Sequence, residues 1–209
     1  MGTREILLAT GNPNKAREMR EILGLGQEAG SLLVSWRSLE EFAERGWPEP
    51  VEDGPTFAAN AQIKARHYAL LSGLWTLADD SGLEVDALGG EPGIRSARYA
   101  GWPRDDRANN ALLIRRVSGV PAEERSARFR CAAVVSDGRR ILASAEGVVE
   151  GRIIDQPRGY QGFGYDPHFW IDALGMTAAE MLPEQKHAVS HRGRALRQLK
   201  KQLEALVAS

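Results

Sequence analysis

Residues 127–136 and 140–150 form two long strand candidates separated by a turn built on Asp137 and Gly138, and this pairing constrains the fold more than any other feature of the chain. A short hairpin demands an antiparallel pair. The first half of the chain alternates strand and helix patterns instead, so the two halves together predict a mixed α/β sheet covered by helices. Glu5-Ile6-Leu7-Leu8-Ala9 is a short apolar run ended by Thr10-Gly11-Asn12-Pro13-Asn14, after which Met19, Ile22 and Leu23 recur at helical spacing. Leu32-Leu33-Val34-Ser35 is a second strand candidate, and the stretch to Gly54, with Pro48, Pro50 and several carboxylates, reads as an exposed connection. Thr56 starts a helix that places Phe57, Ala61, Lys64, Tyr68 and Leu71 on one face and ends at Ser72-Gly73. A helix is expected over 109–117, and Leu196, Leu199, Leu203 and Leu206 form the apolar stripe of a terminal helix.

With 209 residues, 43% of them hydrophobic and 26% charged, the chain can bury one substantial core, and one domain over 1–209 is expected. A formal net charge of −1 gives no global attraction to nucleic acid or to an anionic membrane. Any anion site must therefore be built from local groups. The single cysteine, Cys131, lies in an apolar run and reads as a buried side chain rather than a nucleophile. No CxxC or paired-histidine spacing suggests structural zinc, and His67, His168 and His187 show no ligand spacing. No apolar stretch approaches the ~20 residues needed to cross a bilayer, so a cytoplasmic protein without membrane or nucleic-acid partners is expected.

Four stretches and an acidic pair ask for chemistry. Asp79 and Asp80 end the apolar run 74–78 and are followed by Ser81-Gly82, then by a brief strand candidate at Leu83-Glu84-Val85. Two adjacent carboxylates suit a metal ion, and the same four residues suit an ordinary acidic turn. Thr10-Gly11-Asn12-Pro13-Asn14-Lys15 brings backbone N–H groups, a hydroxyl, an amide and an ammonium to a helix start, which are phosphate ligands, though capped strand–loop–helix connections are common. Glu52-Asp53 precedes the Thr56 helix, either as carboxylate oxygens for the same divalent ion or as a solvated loop. Gly162-Phe163-Gly164-Tyr165-Asp166-Pro167 frees a ring face between glycines and adds an acceptor, as a nucleobase site needs; a core aromatic at a tight turn fits equally. Lys186, His191 and Arg192 lie before or at the start of the terminal helix, as carbonyl-reading donors or as an exposed basic cap.

Taken in order, these blocks resemble the inosine/xanthosine triphosphate pyrophosphatase family. The matching residues are Leu8-Ala9-Thr10-Gly11-Asn12 with Lys15, Thr56-Phe57 with Asn60-Ala61 and Lys64-Ala65, and Ala78-Asp79-Asp80-Ser81-Gly82-Leu83. Gly90 with Pro92-Gly93-Ile94, Ser96-Ala97-Arg98-Tyr99, residues 162–167, Thr177-Ala178-Ala179-Glu180 and Ser190-His191-Arg192-Gly193 continue the match to the final helix. The resemblance implies an elongated mixed sheet flanked by helices, with two lobes around a central active-site cleft, and a homodimer. It implies that Thr10, Gly11, Asn12, Pro13, Asn14 and Lys15 hold a triphosphate, and that Asp80 is the proton acceptor. Asp80 and Glu52 would bind Mg²⁺, Ser81 would contact the substrate, and Phe163, Gly164, Tyr165, Asp166, Lys186, His191 and Arg192 would form the base pocket. Two positions depart from the family pattern: Ala59 where Glu is frequent, and Met176 where Lys is frequent.

The activity implied is Mg²⁺-dependent hydrolysis of ITP, dITP and XTP to the nucleoside monophosphate and pyrophosphate. Donors in the base pocket would pair with the 6-oxo group of hypoxanthine or xanthine and be left unpaired by the 6-amino group of adenine. Other modified nucleotides as substrates, and a nucleotide-binding regulator without turnover, are the alternatives that the residues leave open. Asp79 has no partner assigned by sequence.

Overall fold

A computed structural model describes residues 4–24 and 34–208. Seven strands form one sheet, β1 (Arg4–Leu8), β2 (Val34–Ser38), β3 (Trp75–Val85), β4 (Ser126–Ser136), β5 (Ile141–Ile153), β6 (Phe169–Ile171) and β7 (Met176–Thr177), in the order β2-β1-β3-β4-β5-β6-β7. The principal helices are α1 (Pro13–Leu23), α2 (Phe57–Ser72), α3 (Asp106–Val117), α4 (Pro183–Val189) and α5 (His191–Ala208). β1 runs parallel to both β2 and β3, whereas β6 is antiparallel to β5 and β7, so the sheet is mixed as expected. Of the strand candidate at 32–35, Leu32 and Leu33 lie outside the described residues.

Local chemistry explains most element ends. The Asn12 side chain caps α1 by accepting from the N–H groups of Asn14 and Lys15, Pro13 occupies the first helical position, and Gly24 closes the helix at φ 73°. Thr56 caps α2 by accepting from Ala59 N–H at 3.1 Å. The β4–β5 hairpin turns at Asp137, whose Oδ1 accepts from the N–H groups of Arg139 and Arg140 at 2.8 and 2.7 Å. The connection is longer than a turn of Asp137 and Gly138 alone, since β5 begins only at Ile141.

The acidic pair sits elsewhere than the sequence suggests. Residues 79–82 are no turn between two strands; they lie inside β3, which continues from Trp75 to Val85. On its β1 side the pairing runs through Ile6–Trp75, Leu7–Thr76 and Leu8–Leu77, and Ala9 N–H donates to Leu77 C=O at 2.8 Å. Non-local pairing thus overrides the turn preference of Asp, Ser and Gly. The same register sets the start of the 10–15 loop beside the strand that carries the acidic pair.

The chain forms two compact units, one from residues 1–80, 131–147 and 192–209, the other from 81–130 and 148–191. In the first, Ile6, Leu8, Met19, Leu77, Leu196, Leu199 and Leu203 make the core, with Leu206 packed against it, which bears out the apolar stripe of α5. Cys131 is buried in the same core. On α2, Phe57, Ala61 and Tyr68 are buried as expected, but Leu71 is 38% exposed: it lies in the final turn, where Ala65 and Ala69 have already supplied the inward face. The second unit packs Leu83, Val85, Leu113, Phe129, Tyr165, Phe169 and Met181 together, and Phe129 meets Phe169 edge-on with centroids 4.7 Å apart. No helix among the described residues is long and apolar enough to cross a membrane.

Leu199, fully buried in the α5 stripe, sets a measurable scale for this packing. In urea titrations Leu199→Ala is expected to lose about 2–5 kcal/mol, from transfer and cavity costs together. Tyr160→Ala, at a side chain 94% exposed, is expected to change stability by less than about 0.5 kcal/mol. Equal losses for the two variants would contradict this account of the core.

Candidate active site

The loop 10–15 is ordered by its own side chains. Thr10 Oγ1 accepts from Asn12 N–H at 3.2 Å, and Asn12 Oδ1 in turn accepts from Asn14 and Lys15 N–H at 2.9 and 3.2 Å. A Cβ on Gly11 would meet no atom within 4 Å, and its φ is not left-handed. Packing within the protein therefore does not require glycine there.

Asp79 and Asp80 occupy successive strand positions, and alternation sends their side chains to opposite faces of the sheet. Asp79 is fully buried. Its Oδ2 lies 3.3 Å from Lys15 Nζ and accepts from Arg192 Nε and Nη2 at 3.2 and 3.1 Å, while Arg192 Nη1 donates to Glu18. The Cys131 thiol is 3.8 Å from the same oxygen. Burial by itself would raise the Asp79 pKa, but Lys15, Arg192 and Lys64 outweigh it and hold the carboxyl well below the usual carboxylate range. Burial and the neighbouring Asp79 charge push the Cys131 thiol up, away from the thiolate that a nucleophile needs.

Asp80 is half-buried. Asn60 Nδ2 donates to its Oδ2 at 3.3 Å. Lys64 reaches the same region, with Nζ 2.9 Å from Glu52 Oε2 and 3.1 Å from the carbonyl oxygen of Asp79. Burial lifts the Asp80 pKa against the pull of Lys15 and Lys64, and the negative charges of Glu52 and Asp79 add to the rise. Burial works against the Lys64 charge, but Glu52, Asp80 and Asp79 more than compensate and raise its pKa. Among the described residues no group of three or more His, Cys, Asp and Glu side chains is placed to hold a metal. Asp80 and Glu52, both facing Lys64, fit the other mode: a hard divalent cation held by one or two carboxylates, with water and phosphate oxygens completing its shell.

The second unit holds a different cluster. Gly162 adopts φ +74°, and a Cβ there would lie 2.1 Å from Asp166 Oδ2. That oxygen accepts from Phe163 N–H at 2.9 Å and pairs with Lys186 Nζ at 2.6 Å, both partners being buried. The Lys186 ammonium also sits 4.9 Å from the Phe163 ring centroid. Gly164 is fixed from α3, its N–H donating to Asp106 Oδ2 and its C=O accepting from Asn110 Nδ2, each at 2.8 Å. His191 stacks on Phe129, centroids 4.9 Å apart and planes within 11°. Ser81 follows Asp80 on β3 and is half-buried.

Two residues that the resemblance assigns to the base pocket are engaged by protein partners. The Arg192 guanidinium, 1% exposed, is engaged by Asp79 and Glu18 in the first unit, because a buried cation is tolerable only beside carboxylates. Tyr165 belongs to the core of the second unit: it is 4% exposed, and its hydroxyl donates to Ser96 C=O at 2.8 Å. Glu18 and Phe129 were not singled out by sequence, and Asn60 was named only within a family block, with no role assigned. Glu18 carried a signal, since it lies three residues after Lys15 on the inward stripe of α1 with Met19 and Ile22.

Comparison with known proteins agrees with the fold and these blocks. A family model described as the Ham1 family matches residues 6–202. A Geobacter sulfurreducens protein named dITP/XTP pyrophosphatase is 48% identical over 200 residues, covering 95% of this chain and 96% of that one. A Bacillus subtilis protein of the same name is 44% identical over 204 residues, covering 97% and 98%. The solved structure of a HAM1 protein from Coxiella burnetii superposes with a TM-score of 0.83 at 39% identity, covering 99% of this chain and all of that one. The chain belongs to the Ham1 family.

The Asp79–Arg192 pair makes a pH-dependent contribution to stability. Because the folded pKa of Asp79 is depressed, that contribution is complete above the unfolded value of about 3.9 and is lost as pH falls towards the folded value. Stability of the parent protein in urea is expected to fall more steeply below about pH 4 than that of Asp79→Asn, and Arg192→Met is expected to cost about 3–5 kcal/mol at pH 7. Parallel pH curves for parent and Asp79→Asn would show that the carboxylate is not the linked group.

Proposed function

We propose that this chain hydrolyses nonstandard purine nucleoside triphosphates, with ITP, dITP and XTP as substrates, to the nucleoside monophosphate and pyrophosphate. The observation that carries the reading is the cluster of Lys15, Lys64, Glu52 and Asp80 beside a helix-capping loop whose glycine the fold itself does not require. The relatives named dITP/XTP pyrophosphatase, matched over nearly their whole length, support the substrate class.

The loop 10–15 and the Lys15 ammonium are suited to the triphosphate, and Lys64 to the charge that develops on departing pyrophosphate. Asp80 accepts the proton of the attacking water as oxygen bonds to the α-phosphorus and the bond from that phosphorus to the bridging oxygen breaks. With no cation bound, burial raises its pKa against the pull of Lys15 and Lys64. Asp80 and Glu52 would hold Mg²⁺, which when bound supplies positive charge to the phosphate oxygens and acidifies water. Recognition of the 6-oxo group falls to Lys186 and His191, held in orientation by Asp166 and by the Phe129 stack. An adenine 6-amino group would leave those donors unpaired, a mismatch that sites built on hydrogen bonds reject strongly. The family resemblance also implies a homodimer, which the sedimentation mass in solution would test.

Released pyrophosphate measured with Mg²⁺ against ITP, XTP, GTP and ATP tests the reading. Turnover of ITP and XTP well above GTP and ATP is expected; equal rates for all four would remove the selectivity, and release of single phosphate would remove the bond assignment. Asp80→Asn is expected to lower kcat by about 10²–10⁴-fold while ITP still binds. Tight ITP binding by the parent protein with no turnover would instead identify a nucleotide-binding regulator.

A further inference from the structure

One face of α2 is given over to the segment 47–54. Asn60, Lys64, His67 and Tyr68 recur at helical spacing and each meets that segment. The Trp47 ring lies 6.4 Å from the Tyr68 ring and stacks on Phe42 at 5.0 Å, His67 Nε2 is 2.8 Å from Pro48 C=O, and Lys64 Nζ is 2.9 Å from Glu52 Oε2. At the far end Gly54 N–H donates to Asn60 Oδ1 at 2.8 Å. Glu52 is therefore held between two anchors on one helix.

The Asn60 anchor does more than close the loop. An N–H group can only donate, so Gly54 claims the carboxamide oxygen and leaves the amide NH₂ to face Asp80, whose Oδ2 lies 3.3 Å away. Asn60 is 1% exposed, so water does not substitute for either bond. The approach is also sterically specified. A Cβ on Gly54 would lie 2.7 Å from Ala59 Cβ and 2.8 Å from Asn60 Oδ1, so only glycine permits the loop to come this close.

We propose that Asn60 is the positioning residue that sets the Glu52-bearing loop in register with Asp80, using opposite ends of one buried carboxamide. The proposal rests on the pyrophosphatase reading for its effect on rate, but not for the bridge itself. A neutral amide is the side chain that can do both: aspartate at 60 would still accept from Gly54 yet turn a second oxygen towards Asp80, and alanine would release both partners.

The test uses the full chain with Asn60→Asp, Asn60→Ala and Gly54→Ala, reading kcat and KM for pyrophosphate release from ITP, amide hydrogen exchange at Gly54, and the urea midpoint. Asn60→Asp is expected to keep the Gly54 amide slow to exchange while kcat falls on the order of 10²-fold with KM little changed. Asn60→Ala is expected to lose Gly54 protection as well, with the amides of β3 and the middle of α2 still protected. Gly54→Ala is expected to match Asn60→Ala in rate, because it drives the loop off the same oxygen. Wild-type turnover in Asn60→Asp, a Gly54 amide as slow in Asn60→Ala as in the parent, or protection lost evenly along the chain would each overturn the proposal. If the parent protein releases no pyrophosphate from ITP, the pyrophosphatase reading fails; the Gly54 exchange of Asn60→Ala then decides the bridge alone.

Discussion

The first unit depends on the neutralisation of Asp79. A carboxylate without solvent is costly by several kcal/mol unless cations and hydrogen bonds meet it, and three separate helices supply them. Lys15 comes from the first turns of α1, Arg192 from the start of α5, and Lys64 from α2 through the Asp79 carbonyl. A single buried residue, through its Oδ2 and its carbonyl oxygen, thus ties three helices to one strand. Because each helix must arrive with its cation in place, the same contacts that make the carboxylate tolerable also fix Lys15 and Lys64, the two cations suited to phosphate.

The distribution of charge follows from strand geometry. Neighbouring residues on β3 face opposite ways, so an Asp-Asp pair divides into one carboxylate that is fully buried and one that is half-buried. Lys15, Lys64 and Arg192 stand against Glu18, Glu52, Asp79 and Asp80, which leaves this group of residues one negative charge in excess. The excess falls at half-buried Asp80, whose pKa is raised. In the proposed reaction a divalent cation would offset that excess. For the proposed reaction, lysines already oriented by carboxylates would need little rearrangement to receive phosphate, which is the preorganisation that electrostatic catalysis requires.

Sequence made the local features legible and concealed the distant ones. The α5 stripe, the Asn12 cap, the 137–140 turn and the 10–15 connection between β1 and α1 are encoded within a few residues, so periodicity and capping chemistry reveal them. Residues 79–82 look like a turn because Asp, Ser and Gly prefer one locally; only pairing with strands far away in the chain keeps them extended. Arg192 looks like an exposed cap because nothing near it in sequence is acidic. Its partners are 113 and 174 residues away, and a basic residue before an apolar stripe carries no mark of such a pairing. The Tyr165 contact is equally hidden: its hydroxyl donates to Ser96 C=O, 69 residues away in the chain.

Both units use one device to fix polar groups of the proposed site, and it explains why glycines rather than larger residues stand beside them. In the first, Gly54 brings a backbone N–H onto buried Asn60; in the second, Gly162 lets Phe163 N–H reach buried Asp166. A Cβ at either glycine would sit closer than 3 Å to the accepting oxygen. Each acceptor also contacts a residue of the proposed chemistry, Asp80 from Asn60 and Lys186 from Asp166. Position is thereby transmitted from a rigid element through a side chain that has used one bonding site on the backbone. A side chain held at one oxygen cannot rotate without breaking a buried hydrogen bond, and the cost of leaving such a group unpaired, about 1–3 kcal/mol, is what holds its second contact in place.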